Sequence, residues 1–150
     1  PYDMKYLDGK LLIQDKNNIL ADKYETVTKV KPSKEQLRDM EFGMKIVKNM
    51  KSNAIVIVKD GQTLASGCGQ TSRIWALKNA LENNKDKDFK GAVLASDAFF
   101  PFDDCVTLAN EYGIKAVVQP GGSMKDQDSI NACDKYEMTM VFTGTRHFKH

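Results

Sequence analysis

With 150 residues and a mass of 16.8 kDa, the chain has room for one compact domain, or half of a larger one, and excludes a multidomain enzyme within its own length. Its 22 basic and 20 acidic residues give a formal net charge of +2, which excludes a general nucleic-acid or membrane-surface coat and confines any positive site to a local cluster. A content of 41% hydrophobic and 28% charged residues excludes the disordered and fibrous classes.

Residues 1–31 alternate short apolar runs, Leu11-Leu12-Ile13 and Val27-Thr28-Lys29-Val30, with polar stretches, the pattern of edge strands in a lead-in arm. Pro32 and Ser33 then open a helix. The Ser33 side chain caps the amide three residues on, Gln36 reaches back, and Leu37, Met40, Met44 and Val47 form an apolar stripe ending near Asn49. Ala54 to Val58 is continuous, short and β-branched, which predicts a strand covered on both faces, and Lys59-Asp60-Gly61-Gln62 turns it into a second strand from Thr63 to Ser66 as a buried hairpin. After Gly67-Cys68-Gly69 comes a helix over 71–83, with Ile74, Leu77 and Leu81 on one stripe. A charged loop at 85–90 leads to the strand 92–95, and a helix follows to Tyr112 and Gly113. Lys115 to Val118 is a strand, Gly121-Gly122 opens a helix to about Tyr136, and Met138 to Phe142 is the last strand. Alternating strands and helices predict an α/β fold, a layered sheet with helices on its faces, with an arm over 1–31 and a core over 32–150.

Three strand-to-helix junctions carry the candidate chemistry: Gly67 to Arg73, Ser96 to Asp104, and Gln119 to Ser123. In such a sheet they converge on one rim, where glycine lets backbone approach a ligand and free helix amides favour an anion. The glycine spacings match neither a Walker loop nor a dinucleotide fingerprint, and by spacing alone plain turns and caps are the favoured reading. Phe99-Phe100-Pro101-Phe102 sets three rings around a proline that cannot all follow one strand face, so either at least one faces a cleft, suited to a flat heteroaromatic ligand, or, as composition favours, all three are core. Asp103 and Asp104 suit either a helix first turn or hydrogen bonds to a ligand ring. Cys68, Cys105 and Cys133 are widely spaced and odd in number, and read as reduced thiols. His147 and His150, the only histidines, lie in a tail whose Arg146 suits a phosphate through its planar fork. No Cys lies within local reach to complete a zinc site with them. No apolar run approaches the roughly 18 residues of a membrane span, and Pro1 to Lys10 lack a signal-peptide core, so a cytoplasmic setting is expected. A first residue of Pro1 fits either removal of an initiator Met or a piece of a longer protein.

Lys51-Ser52-Asn53-Ala54-Ile55, Gly67 to Arg73, Ser96 to Phe102, Gln119 to Ser123 and Arg146 to His150, in that order, resemble the bifunctional purine biosynthesis protein family. The resemblance is to the C-terminal half of its transformylase domain. It implies a cytidine-deaminase-like subdomain of aminoimidazole carboxamide ribonucleotide (AICAR) formyltransferase, with IMP cyclohydrolase activity elsewhere in the parent. In the family, formyl passes from 10-formyltetrahydrofolate, a co-substrate, to the 5-amino group of AICAR, with no metal required. Carried over residue by residue, Asn53 lies beside the reacting amine, Arg73 and Phe99 hold the carboxamide, and Arg146 meets the phosphate. Ser72, Ile74, Pro101, Phe102 and Asp104 resemble the folate wall. Asp103 stands where the family commonly has Arg, and Thr71 where Met or Gln is usual. The family's Lys-His pair belongs to the first subdomain; here Lys149-His150 stands in the wrong motif. The resemblance therefore implies a piece inactive alone, whose partners are the rest of the parent chain, a second copy in a homodimer, and the two small molecules, with no nucleic acid or membrane. A free-standing nucleotide- or folate-binding module is the alternative. A zinc deaminase lacks its His-x-Glu and Cys-x-x-Cys ligands.

Overall fold

Ile55, Val56, Ile57 and Val58 are all fully buried, and because side chains alternate along a strand they feed two separate cores. In the computed structural model, which describes residues 2–150, they lie in strand β4 (Ile55–Lys59) of a six-stranded mixed sheet. From one edge the sheet runs β3 (Glu25–Thr26), β8 (Thr139–Phe142), β7 (Ala116–Gln119), β6 (Val93–Ser96), β4 and β5 (Gln62–Gly67). Strands β1 (Tyr2–Leu7) and β2 (Lys10–Asp15) form a separate antiparallel hairpin. Helix α1 (Lys34–Val47) covers one face of the large sheet, where Met40, Met44 and Val47 meet Val56, Val58, Val93, Ala95 and Val118. Helices α2 (Arg73–Glu82), α3 (Asp104–Glu111) and α4 (Asp126–Lys135) cover the other, over Ile55, Ile57, Leu94, Val117 and Met140. This is the layered α/β arrangement that the alternation of strands and helices predicts.

Strand direction fixes where a site can form. β6, β7 and β8 are parallel, linked through α3 and α4, whereas β4 is antiparallel to both β5 and β6. The C-terminal ends of β5, β6, β7 and β8 therefore share one edge with the N-terminal end of β4, so residues 53, 67–73, 96–104 and 119–123 all start from that edge.

Four expectations are corrected. Leu37 is exposed; the buried side of α1 carries Asp39 instead, whose carboxylate accepts the amides of Asp60 at 2.9 Å and Gly61 at 2.8 Å and ties the helix to the β4–β5 turn. Residues 27–30 do not form a strand: the Val27 amide still donates to Met140 O at 3.0 Å, but beyond it Thr28 Oγ1 accepts the Met140 amide at 2.9 Å and Asp134 accepts that of Lys29 at 2.8 Å, so side chains replace the ladder. The strand β3 ends just before them at Thr26 and joins the main sheet through β8 although it lies within the arm. β5 is the sheet's edge and is half exposed, so only β4 of that hairpin is buried on both faces. Finally, α4 begins at Asp126 rather than at Gly121.

Candidate functional site

Gly67 sets the geometry. A Cβ there would collide with the carbonyl of Ala76, so only glycine lets α2 lie this close to β5. The helix then starts at the sheet edge, with Ser72 as its cap accepting the Trp75 amide at 3.4 Å, and its first residue, Arg73, drops inward. Arg73 is 5% exposed and ion-paired through Nη1 with Asp97, which follows β6. Nη1 also donates to the Ala54 carbonyl at 3.2 Å, and Nη2 to Asn53 Oδ1 at 2.8 Å. The Asn53 amide nitrogen donates to the Gln70 carbonyl at 2.9 Å, so both ends of that side chain are engaged. Asp97 Oδ1 accepts the Ala54 amide at 3.1 Å, which completes a buried junction of β4, β6 and α2.

Above this junction lies a cleft of about 250 Å³. Asn53, Ser72, Arg73, Phe99, Pro101 and Phe148 line it. The three phenylalanines around Pro101 take different places. Phe100 is fully buried, Phe99 is half-buried at the cleft, and Phe102 is 52% exposed with the Lys125 ammonium 4.8 Å from its ring centre.

Arg146 does not enter this cleft. It lines an adjoining one of about 310 Å³ with Gln14, Asp15, Lys16, Asn17 and Phe148, and its guanidinium lies 5.4 Å from the Phe148 ring centre. Phe148 is thus a wall common to both. The tail that carries it is pinned: the Ser52 amide donates to Lys149 O at 3.0 Å, and the amide of the fully buried His147 donates to Asp97 O at 2.7 Å. Lys149-His150 lines a further hollow against the hairpin, with Lys5 and Leu12. Ile74 is half-buried against the core, and Asp104 Oδ1 accepts the amide of Cys105 at 2.8 Å; with Phe102 they lie outside the cleft lining.

At the third junction the amides are already satisfied. Asp126 accepts those of Gly122 at 2.7 Å and Ser123 at 3.1 Å, and Gln119 Oε1 accepts those of Phe100 at 3.3 Å and Gly121 at 3.1 Å. The turn-and-cap reading holds there, and no amide is left for an anion. Asp97 and Phe148 are the residues that sequence reasoning left without a role. Asp97 offered one signal, a carboxylate directly after the fully buried strand β6, where a charge needs a partner.

Residues 1–83 match the AICARFT/IMPCHase bienzyme family. The chain belongs to this family. It is 84% identical over 150 residues to the bifunctional purine biosynthesis protein PurH of Clostridioides difficile (strain 630), covering all of this chain and 29% of that one. It is 57% identical over 147 residues to the PurH of Clostridium perfringens (strain 13), covering 98% of this chain and 28% of that one. The chain thus spans less than a third of the length of these members of the bienzyme family. Among solved structures, the dCMP deaminase of cyanophage S-TIM5 shares the fold with a TM-score of 0.50 at 19% identity, over 73% of this chain and 98% of that one. Among the described residues, no three of His, Cys, Asp or Glu are grouped to hold a metal ion.

Proposed function

We propose that the chain is the second subdomain of an AICAR formyltransferase and supplies the substrate-holding part of its active site. The observation that carries this reading is the cleft that joins Asn53 and Arg73 to Phe99 at one sheet edge. A guanidinium and a primary amide beside an aromatic ring suit a flat heterocycle bearing a carboxamide: the ring stacks, and the polar groups exchange hydrogen bonds. Arg146, in the adjoining cleft that shares Phe148 as a wall, offers the planar fork that phosphate favours. Ser72 and Pro101 on the cleft's flank, with Ile74, Phe102 and Asp104 beyond them, are assigned to the folate donor.

The 5-amino group of AICAR is a weak nucleophile, its lone pair being drawn into the ring and carboxamide. Catalysis then requires holding two substrates together, worth roughly 7 to 11 kcal/mol at best, and a base for the amine proton. Asn53 is assigned to orient the amine; the base belongs to the remainder of the parent. A volume of about 250 Å³ against roughly 300 to 1,000 Å³ for complete ligand sites suits a part-site. The hairpin supports the same reading: Tyr2, Met4, Tyr6, Leu7, Leu11 and Ile13 are each more than half exposed, an apolar surface suited to the rest of the parent chain or a second copy.

The test is a formyl-transfer assay with AICAR and 10-formyltetrahydrofolate, run in parallel with calorimetry. The isolated chain is expected to show negligible turnover while the complete polypeptide turns over. Turnover by the isolated chain at the rate of the complete one overturns the part-site, and failure of the complete polypeptide to bind AICAR overturns the function.

A further inference from the structure

We infer that Asp97 is a positioning residue of this cleft, acting through Arg73 to set the orientation of the Asn53 amide. The inference rests on the formyltransferase reading and goes beyond it, since Asp97 does not line the cleft. Asp97 is completely buried and pairs with Arg73 Nη1, leaving Nη2 to donate to Asn53 Oδ1 at 2.8 Å. Because a guanidinium is planar, fixing one nitrogen fixes the direction of the other. A primary amide differs at its two ends, and here the far end donates to Gln70 O at 2.9 Å, so reversing it would set donor against donor and acceptor against acceptor. Asp97 therefore determines which end of Asn53 can meet a substrate.

The same residue sets the backbone that carries the site. Its carboxylate accepts the amide of Ala54, next to Asn53, at 3.1 Å, and its own amide donates to Ala54 O at 3.2 Å. Its carbonyl accepts the His147 amide at 2.7 Å, one residue from Arg146 and from Phe148. A shift of Asp97 thus reaches both adjoining clefts. Asp97 Oδ2 and Arg73 Nε are buried without a hydrogen-bond partner, so the pair is held through Oδ1 and Nη1 alone.

The experiment is a double-mutant cycle on kcat in the complete polypeptide, with Asn53→Ala, Asp97→Asn and their combination. Asp97→Asn keeps the oxygen that Ala54 needs but loses the charge that holds Arg73. It is expected to lower kcat by on the order of tenfold to a hundredfold, the scale of a small misplacement of a reacting group. The double variant is expected to be no slower than Asn53→Ala alone, because a positioning residue has nothing left to position. The KM for the folate donor should not move. Asp97→Glu keeps the buried cation paired and serves if the Asn variant does not fold; it should be impaired to a lesser degree and equally without effect in the Asn53→Ala background. If the losses multiply in either pair, Asp97 is structural only and the inference is overturned while the function stands. If Asn53→Ala transfers formyl at the wild-type rate, the assignment of Asn53 fails and the inference with it.

Discussion

The amide of His147 donates to the carbonyl of Asp97 at 2.7 Å, joining the C-terminal tail to the end of β6. The imidazole faces the arm on the opposite side: Nε2 lies 2.9 Å from Leu20 O, and Nδ1 lies 2.7 Å from the Asn17 amide nitrogen. A carbonyl only accepts, so Nε2 carries a hydrogen; Nδ1 has both ends of the Asn17 amide in reach, the nitrogen at 2.7 Å and the oxygen at 3.1 Å, and the nearer one lets it accept. His147 thus holds residues 17–20 and the Arg146 cleft in place.

That arrangement makes stability depend on pH. Burial lowers the His147 pKa; the Leu20 carbonyl opposes this, Lys48 adds to it, and Asp97 opposes it. A histidine of the unfolded chain takes up its proton near 6.5. With the folded value below that, the unfolded state binds more protons in the interval between them, so stability rises with pH across it. The contribution is complete above about 6.5 and is lost as pH falls from there towards the folded value. Thermal unfolding midpoints measured at pH 7.5 and pH 5.5 should drop on acidification, and His147→Gln should reduce the drop. Equal drops in both proteins would show that His147 is not the group responsible.

The strands and helices were legible because their signals are local. The Ser33/Gln36 capping box and the β-branched run of β4 need only neighbours in sequence to be read. What escaped depends on distant partners. Asp39 is buried because the Asp60-Gly61 turn folds back onto α1, and residues 27–30 leave the sheet because Asp134 and Met140, more than a hundred residues away, engage them through side-chain hydrogen bonds. The amides of Gly122 and Ser123 looked free in sequence, but Asp126 takes them within one turn. For the cleft, the motifs identified the loops that meet, but no spacing rule places Phe148 in one cleft with Phe99 and Arg146 in the adjoining one.

The three cysteines should separate by reactivity. Cys68 is exposed, on the loop after β5, whereas Cys105 and Cys133 are buried in the core. Burial pushes the Cys133 thiol up to about 12, with Asp134 adding to the shift. Burial pushes Cys105 higher still, with Asp104 adding to it and Arg73 opposing. Since the thiolate is the reacting form, neither buried thiol reacts in the native state at neutral pH. Titration with a disulfide reagent should modify one of the three thiols promptly and the others only in denaturant. Prompt modification of a second thiol would mean that α3 or α4 opens from the sheet.

The stability of the cleft floor should depend on matched charge rather than on charge itself. The Arg73 and Asp97 side chains are 4% and 0% exposed, so each ion lacks water and relies on the other. Removing one partner of such a pair typically costs about 3 to 5 kcal/mol, because it leaves the other charge buried and alone. Arg73→Met should show a loss of this size in chemical denaturation. Adding Asp97→Asn removes the stranded carboxylate while keeping an oxygen for the Ala54 amide, which Asp97 now holds at 3.1 Å. The double variant should therefore be more stable than Arg73→Met alone, although it carries one more substitution. Additive losses instead would mean that the two charges are not coupled and that the junction does not rely on the ion pair.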